Sequence, residues 1–273
     1  VVTLMRWIAH LADFGRMADV IDRVEVAATE SLCAYAGAPT LGANRLRTVP
    51  PHAQPIFTEK TGFVVSVDVA ALDRAAQERD VEVFVQATAG RTADALHPLL
   101  SVTGGGRTID EAPFRSAFRI APHRDYEQDP RLGVIALAEI GSRALSPATN
   151  DPGTAIEVIA ALQRVFTQAL EAEPETEVRF PRVWLLPPQI DALVTDAFRP
   201  LARDGAGMVE VQIRLQKCLA SLSSTAPEHH ATFARAARDA RRRARTSLDR
   251  TDFGDLQKAV RKAWTEPVPR WAD

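Results

Sequence analysis

The sequence predicts an α+β protein: a small, barrel-sandwich-like β module followed by a larger, mainly helical domain. Three observations carry this. Valines alternate with other residues at Val81, Val83 and Val85, a strand pattern. Apolar residues recur at three- and four-residue spacing through most of the chain beyond Thr108. Two Asp-Pro pairs, Asp129-Pro130 and Asp151-Pro152, carry the signature of helix starts, a capping carboxylate before a proline whose missing N–H costs nothing there.

Taken in order, residues 1–54 read as N-terminal helices and a linker. Leu4, Trp7, Ile8 and Leu11 make one apolar stripe, and Met17, Val20, Ile21, Val24 and Ala28 resume it after Gly15. From Ala36 to Pro55 the glycines and prolines exclude a long helix. Residues 55–106 read as the β module with a helical insert. Its strands are Phe57 to Val67, Val81 to Val85 and Leu96 to Val102, and Asp68 caps the short helix through Leu72 and Ala76. The run Gly104-Gly105-Gly106-Arg107-Thr108 lacks the lysine and spacing of a phosphate loop and reads as a junction.

Residues 107–265 read as the helical domain, and 266–273 as a frayed tail. The helix opened by Pro130 is apolar nearly all round, which predicts a central, buried position, with Glu139 and Arg143 able to pair along one face. Pro147 stops it near Leu145. A second long helix follows Asp151, with Ala155, Ile159, Leu162, Phe166 and Leu170 inward; Val178 to Leu186 reads as a strand, and three or four helices follow to about Trp264.

Composition narrows the function classes. The 273 residues carry 33 basic and 35 acidic side chains, a net charge of −2 that removes any bulk attraction to nucleic acid. Two cysteines, Cys33 and Cys218, in no paired motif exclude a disulfide scaffold and a cysteine zinc site. The six histidines show no metal-ligand spacing, so no metal is expected. No run reaches the roughly 18 consecutive apolar residues that a membrane helix needs.

The run Gln128-Asp129-Pro130-Arg131-Leu132-Gly133, followed by Arg143-Ala144-Leu145-Ser146-Pro147-Ala148-Thr149-Asn150-Asp151-Pro152-Gly153-Thr154-Ala155, resembles the signature of a bacterial family of predicted membrane proteins, domain of unknown function 2254. Trp7 to His10 and Thr61 to Val64, with Asp68 and Leu72 behind, support the resemblance, which covers roughly residues 5–250. Two departures stand out. The hydrophobic spans that family members carry ahead of this region are absent, and Leu96-His97 precede Pro98-Leu99 where the family has a glycine. The resemblance therefore implies a soluble C-terminal portion of a membrane-anchored protein, of unknown membrane side, and implies no activity. Gly62 to Val64 and Gly90 to Val102 also look like halves of a lipoyl- or biotinyl-type barrel-sandwich, but no lysine sits in a tight hairpin, so no cofactor is expected.

The candidate ligand or structural motif is Gln128, Asp129, Arg143, Ser146, Asn150, Asp151 and Thr154; no catalytic residue is assigned. Two readings compete for Ser146 to Thr154. One is a polar loop converging on a ligand, which would make the protein an enzyme or small-ligand binder. The other is a helix–helix corner in which Pro147 ends one helix while Asp151 and Pro152 start the next. The corner accounts for every residue type without a substrate, and Ser146 has no local base. It favours a non-enzymatic role in assembly, gating or scaffolding, with a homo-oligomer expected. Arg235 to Arg245 forms a basic helix that reads as a solvated surface, with nucleic-acid or anionic-membrane binding as the alternative, nucleic acid the less expected of the two.

Overall fold

The computed structural model describes residues 17–104 and 109–265. The helix expected through Leu4 to Leu11, most of the glycine junction and the 266–273 tail lie outside those residues. The chain runs α1 (Met17–Gly37), β1 (Ala43–Arg45), β2 (Gln54–Ile56), β3 (Gly62–Val67), α2 (Val69–Arg79), β4 (Val81–Val85), β5 (Thr92–Ala93) and β6 (Leu100–Gly104). Then come α3 (Ala112–Ser116), β7 (Phe118–Ala121), α4 (Pro130–Ala144), α5 (Pro152–Leu170) and β8 (Phe180–Leu185). Helices α6 (Ile190–Asp204), α7 (Val209–Thr225), α8 (His230–Ser247) and α9 (Arg250–Thr265) complete it, with one 3-10 turn at Pro227–His229. This is an α+β protein.

Two compact units make up the chain. The mixed unit comprises Ser31–Leu132 and Ala172–Gln189. Its larger sheet has strand order β1-β8-β4-β6-β2, and a smaller one has order β5-β3-β7. Strand β8 lies parallel to both β1 and β4, placing Val183 opposite Val83 and Leu185 opposite Val85. Strand β6 is antiparallel to β4 and β2. Ile56, Val64, Leu72, Val83, Val85, Leu100, Phe114 and Val183 are all fully buried, a core built from both sheets and the helices α2 and α3. Asp68 caps α2 as its position predicts, accepting from the Ala71 N–H at 2.8 Å.

Several local expectations shift. The stretch read as linker contains β1 and β2, three-residue strands too short to show alternation. The strand expected from Leu96 begins at Leu100, because Asp94 accepts from the backbone N–H groups of Leu96 and His97 and folds that segment into a turn. Strand β7 lies where the reading was helical; its pairing with β3 supplies what four residues of local pattern could not.

The helical unit comprises the part of α1 up to Glu30, Gly133–Glu171 and the chain from Ile190. Its enclosed helix is α7, packed by α5, α8 and α9, with Leu215, Cys218, Leu219 and Leu222 all at 0% exposure. Helix α4 is not the wholly enclosed one. It buries Val134, Leu137 and Ala138, while Glu139 and Arg143 are both exposed. The pairing expected between those two is not made, and neither has an ion-pair partner among the described residues.

Candidate functional site

The Gln128-Asp129 half of the motif belongs to the mixed unit. Gln128 reaches the backbone of Val67 at the end of β3: its Oε1 accepts from the Val67 N–H at 2.9 Å, and its Nε2 donates to the Val67 carbonyl at 3.5 Å. The side-chain amide thus satisfies one peptide unit as a neighbouring strand would. Asp129 is 1% exposed, and its carboxylate does three things. Oδ2 takes the Arg124 Nε–H at 2.6 Å, Oδ1 takes the Arg131 N–H at 3.0 Å in the first turn of α4, and the whole group lies against the backbone of Gly90. Gly90 has φ +84°, and a Cβ there would stand 2.5 Å from Asp129 Oδ2. Only glycine suits both the backbone angle and the contact. The Ser31 hydroxyl donates to the Asp129 carbonyl at 3.3 Å.

The pair Asp129–Arg124 is a buried ion pair, with Arg124 19% exposed and its Nη2 buried without an acceptor. Arg124, Gly90 and Ser31 were absent from the sequence-based set. A buried carboxylate demands a cation, but nothing along the chain says which arginine supplies it.

The second half, Arg143 to Thr154, belongs to the helical unit. Ser146 Oγ donates to Thr149 Oγ1 at 3.2 Å, while its carbonyl accepts from the N–H groups of Thr149 at 3.0 Å and Asn150 at 2.8 Å. Asn150 sits in the left-handed region at φ +48°, where a short amide side chain is tolerated. The Asp151 N–H then donates to the last carbonyl of α4, at Ala144, at 2.8 Å. Asp151 Oδ1 accepts from the Thr154 N–H at 3.1 Å, and Oδ2 accepts from the Thr154 hydroxyl at 2.6 Å. These bonds, the Thr154 hydroxyl first, hold the Asp151 carboxyl below the usual carboxylate range. Pro147 to Asn150 are exposed, as is Arg143.

The chemistry available elsewhere is limited. Ser223 Oγ and His230 Nδ1 lie 2.7 Å apart, a serine–imidazole contact that sequence spacing did not reveal. Among the described residues no carboxylate bonds the imidazole, which meets the Trp264 ring edge-on at 6.0 Å. Ser223 lies inside α7, where the backbone N–H groups are spent on the helix and offer no oxyanion hole. Among the described residues, no three His, Cys, Asp or Glu side chains come together as a metal site.

The helical unit also holds a cavity of about 300 Å³ walled by α6, α7 and α8. Asp191 anchors one edge, paired with Arg235 at 2.6 Å and accepting the Thr232 hydroxyl. That hydroxyl and then the Arg235 guanidinium hold the Asp191 carboxyl below its ordinary range. Arg199, Arg242 and Arg243 share the rim with Asp239.

The model of domain of unknown function 2254, described as a predicted membrane protein, matches residues 1–221, both motif halves included. The chain belongs to this family. No curated protein and no solved structure matches it. The family match thus ends inside α7 and stops short of α8 and α9, while the family description concerns a membrane protein without a stated activity. No helix among the described residues is long and apolar enough to cross a membrane.

Proposed function

We propose that this chain serves a membrane-held protein of family 2254 as a non-enzymatic scaffolding and assembly module, and that it works as a homo-oligomer. One observation carries the reading. Gln128, Asp129 and Asp151 all spend side-chain atoms on main-chain groups, at Val67, Arg131 and Thr154, so the most distinctive residues hold a strand end and helix starts in place. A motif used this way preserves a shape, and a preserved shape suits a surface that other copies meet. Sedimentation of the purified chain across a hundredfold concentration range tests this. Reversible self-association, weakened by Gln128→Ala in step with loss of thermal stability, is expected. A monomer throughout, or a measurable ligand affinity lost in Gln128→Ala with melting unchanged, would overturn it.

A second reading has its own support. Arg238, Arg241 and Arg245 are exposed on α8 and have no ion-pair partner among the described residues, which suits contact with an anionic bilayer surface. Co-sedimentation with vesicles containing anionic lipid, lost when the three become glutamine, is the expected outcome. Retention on DNA but not on vesicles would count against it.

A further inference from the structure

We propose that the cavity walled by α6, α7 and α8 binds the phosphate group of an organic phosphate ester. Four arginines, Arg199, Arg235, Arg242 and Arg243, line it against two aspartates, Asp191 and Asp239. Both aspartates are already engaged, Asp191 with Arg235 at 2.6 Å and Asp239 with Arg242 at 3.0 Å. Arg199 and Arg243 are left with no hydrogen-bond or ion-pair partner for their guanidinium groups among the described residues. Arg243 is half-buried, so its charge is partly withdrawn from water with no counter-ion to compensate.

The floor beneath the rim is dry. Val194, Phe198, Leu215 and Leu219 line it, each no more than 1% exposed. Low polarizability there strengthens an ion contact made above it. The two free arginines stand on different helices, Arg199 on α6 and Arg243 on α8. A carboxylate presents one planar edge that a single guanidinium fork matches, whereas a phosphate monoester offers three terminal oxygens arranged to accept from two forks at once. The volume of about 300 Å³ is at the lower end for small-ligand sites and leaves room for a short organic group beside the phosphate. Asp191 is a positioning residue here, because it holds Arg235 and Thr232 at the rim.

Such an ester could be a soluble metabolite or the headgroup of a lipid, and the experiment separates the two. The full chain is titrated calorimetrically, at one fixed ionic strength, with inorganic phosphate, glycerol phosphate and dihexanoyl phosphatidic acid. The same titrations are made on R199Q/R243Q and on R250Q/R261Q, whose side chains are exposed on α9. Saturable binding of at least one ester is expected, weakened tenfold or more in R199Q/R243Q and within twofold of the parent in R250Q/R261Q. Glycerol phosphate binding as well as the lipid assigns a soluble ligand; binding of the lipid alone assigns a headgroup. No binding by any probe, or equal weakening in both variants, overturns the site, since the latter is diffuse attraction to positive surface charge. Melting curves of both variants check that each remains folded; if R199Q/R243Q fails to fold, R243K replaces it, which keeps the charge and loses the fork. Failure of the site leaves the scaffolding reading standing, because that reading rests on other residues.

Discussion

Asp129→Ala is the substitution with the most to lose. It removes a carboxylate that is 1% exposed and leaves Arg124, only 19% exposed, without its partner. Breaking a buried pair from one side costs about 3–5 kcal/mol, because the surviving charge remains desolvated. Loss of the bond to the Arg131 N–H at the start of α4 adds roughly 1 kcal/mol. Arg124 retains some contact with water, so about 4 kcal/mol in all is expected. With a urea dependence of about 2 kcal/mol per molar, the midpoint should fall by about 2 M. Trp184 reports on this, because it lies in β8 of the mixed unit and stacks on Phe84 at 6.3 Å. A companion variant separates the carboxylate from its seat. Gly90→Ala in the parent incurs about 1 kcal/mol for the left-handed backbone and, in addition, displaces Asp129. In the Asp129→Ala background only the backbone cost remains. A midpoint shift below about 0.5 M for Asp129→Ala, or an equal cost of Gly90→Ala in both backgrounds, would refute the account.

Three further outcomes follow from the same geometry. Gly133→Ala should destabilise the helical unit despite a helix-propensity gain of about 1 kcal/mol, because the new Cβ would come within 2.5 Å of Ala28 Cβ where α1 and α4 touch; a raised melting temperature would contradict this. Burial pushes the Cys218 thiol up to about 12, so the folded chain keeps a proton that the unfolded chain releases near pH 8.5. Stability should therefore fall between about pH 8.5 and 12, by up to about 5 kcal/mol, and urea midpoints of Cys218→Ala should lack that slope. Asp151→Ala should lower the melting temperature at pH 7 and speed amide exchange at Thr154. Since the Asp151 carboxyl is held low in the folded chain, its stabilising effect is present above about pH 4 and lost as pH falls through the lowered value. The two proteins should then melt alike in acid, and a difference that persists there would argue against the cap.

Much of the local structure was legible in advance. Asp68, Asp129 and Asp151 marked helix starts because a capping carboxylate acts within two or three residues, and such short-range bonds are written in adjacent letters. The inward residues Ala155, Ile159, Leu162 and Phe166 are fully buried for the same reason, since helical periodicity is local. The central burial expected of α4 did not follow, because apolar content says that a helix packs but not how many neighbours surround it. That place went to α7, whose sequence includes Gln212 and Gln216; these are buried because their amides reach the Gly205 and Ala237 carbonyls.

By itself, the sequence determined the family, the α+β class, the helix starts and the inward faces, all of which depend on residues a few positions apart. Only the tertiary structure decided that Asp129 faces Arg124 and Gly90, that β8 enters a sheet between β1 and β4, and that Arg199 and Arg243 share one cavity. Those partners are separated along the chain by a few residues in one case and by more than a hundred in another. Whether two side chains meet at such distances depends on loop closure and packing summed over whole elements, and no short window of sequence contains that sum.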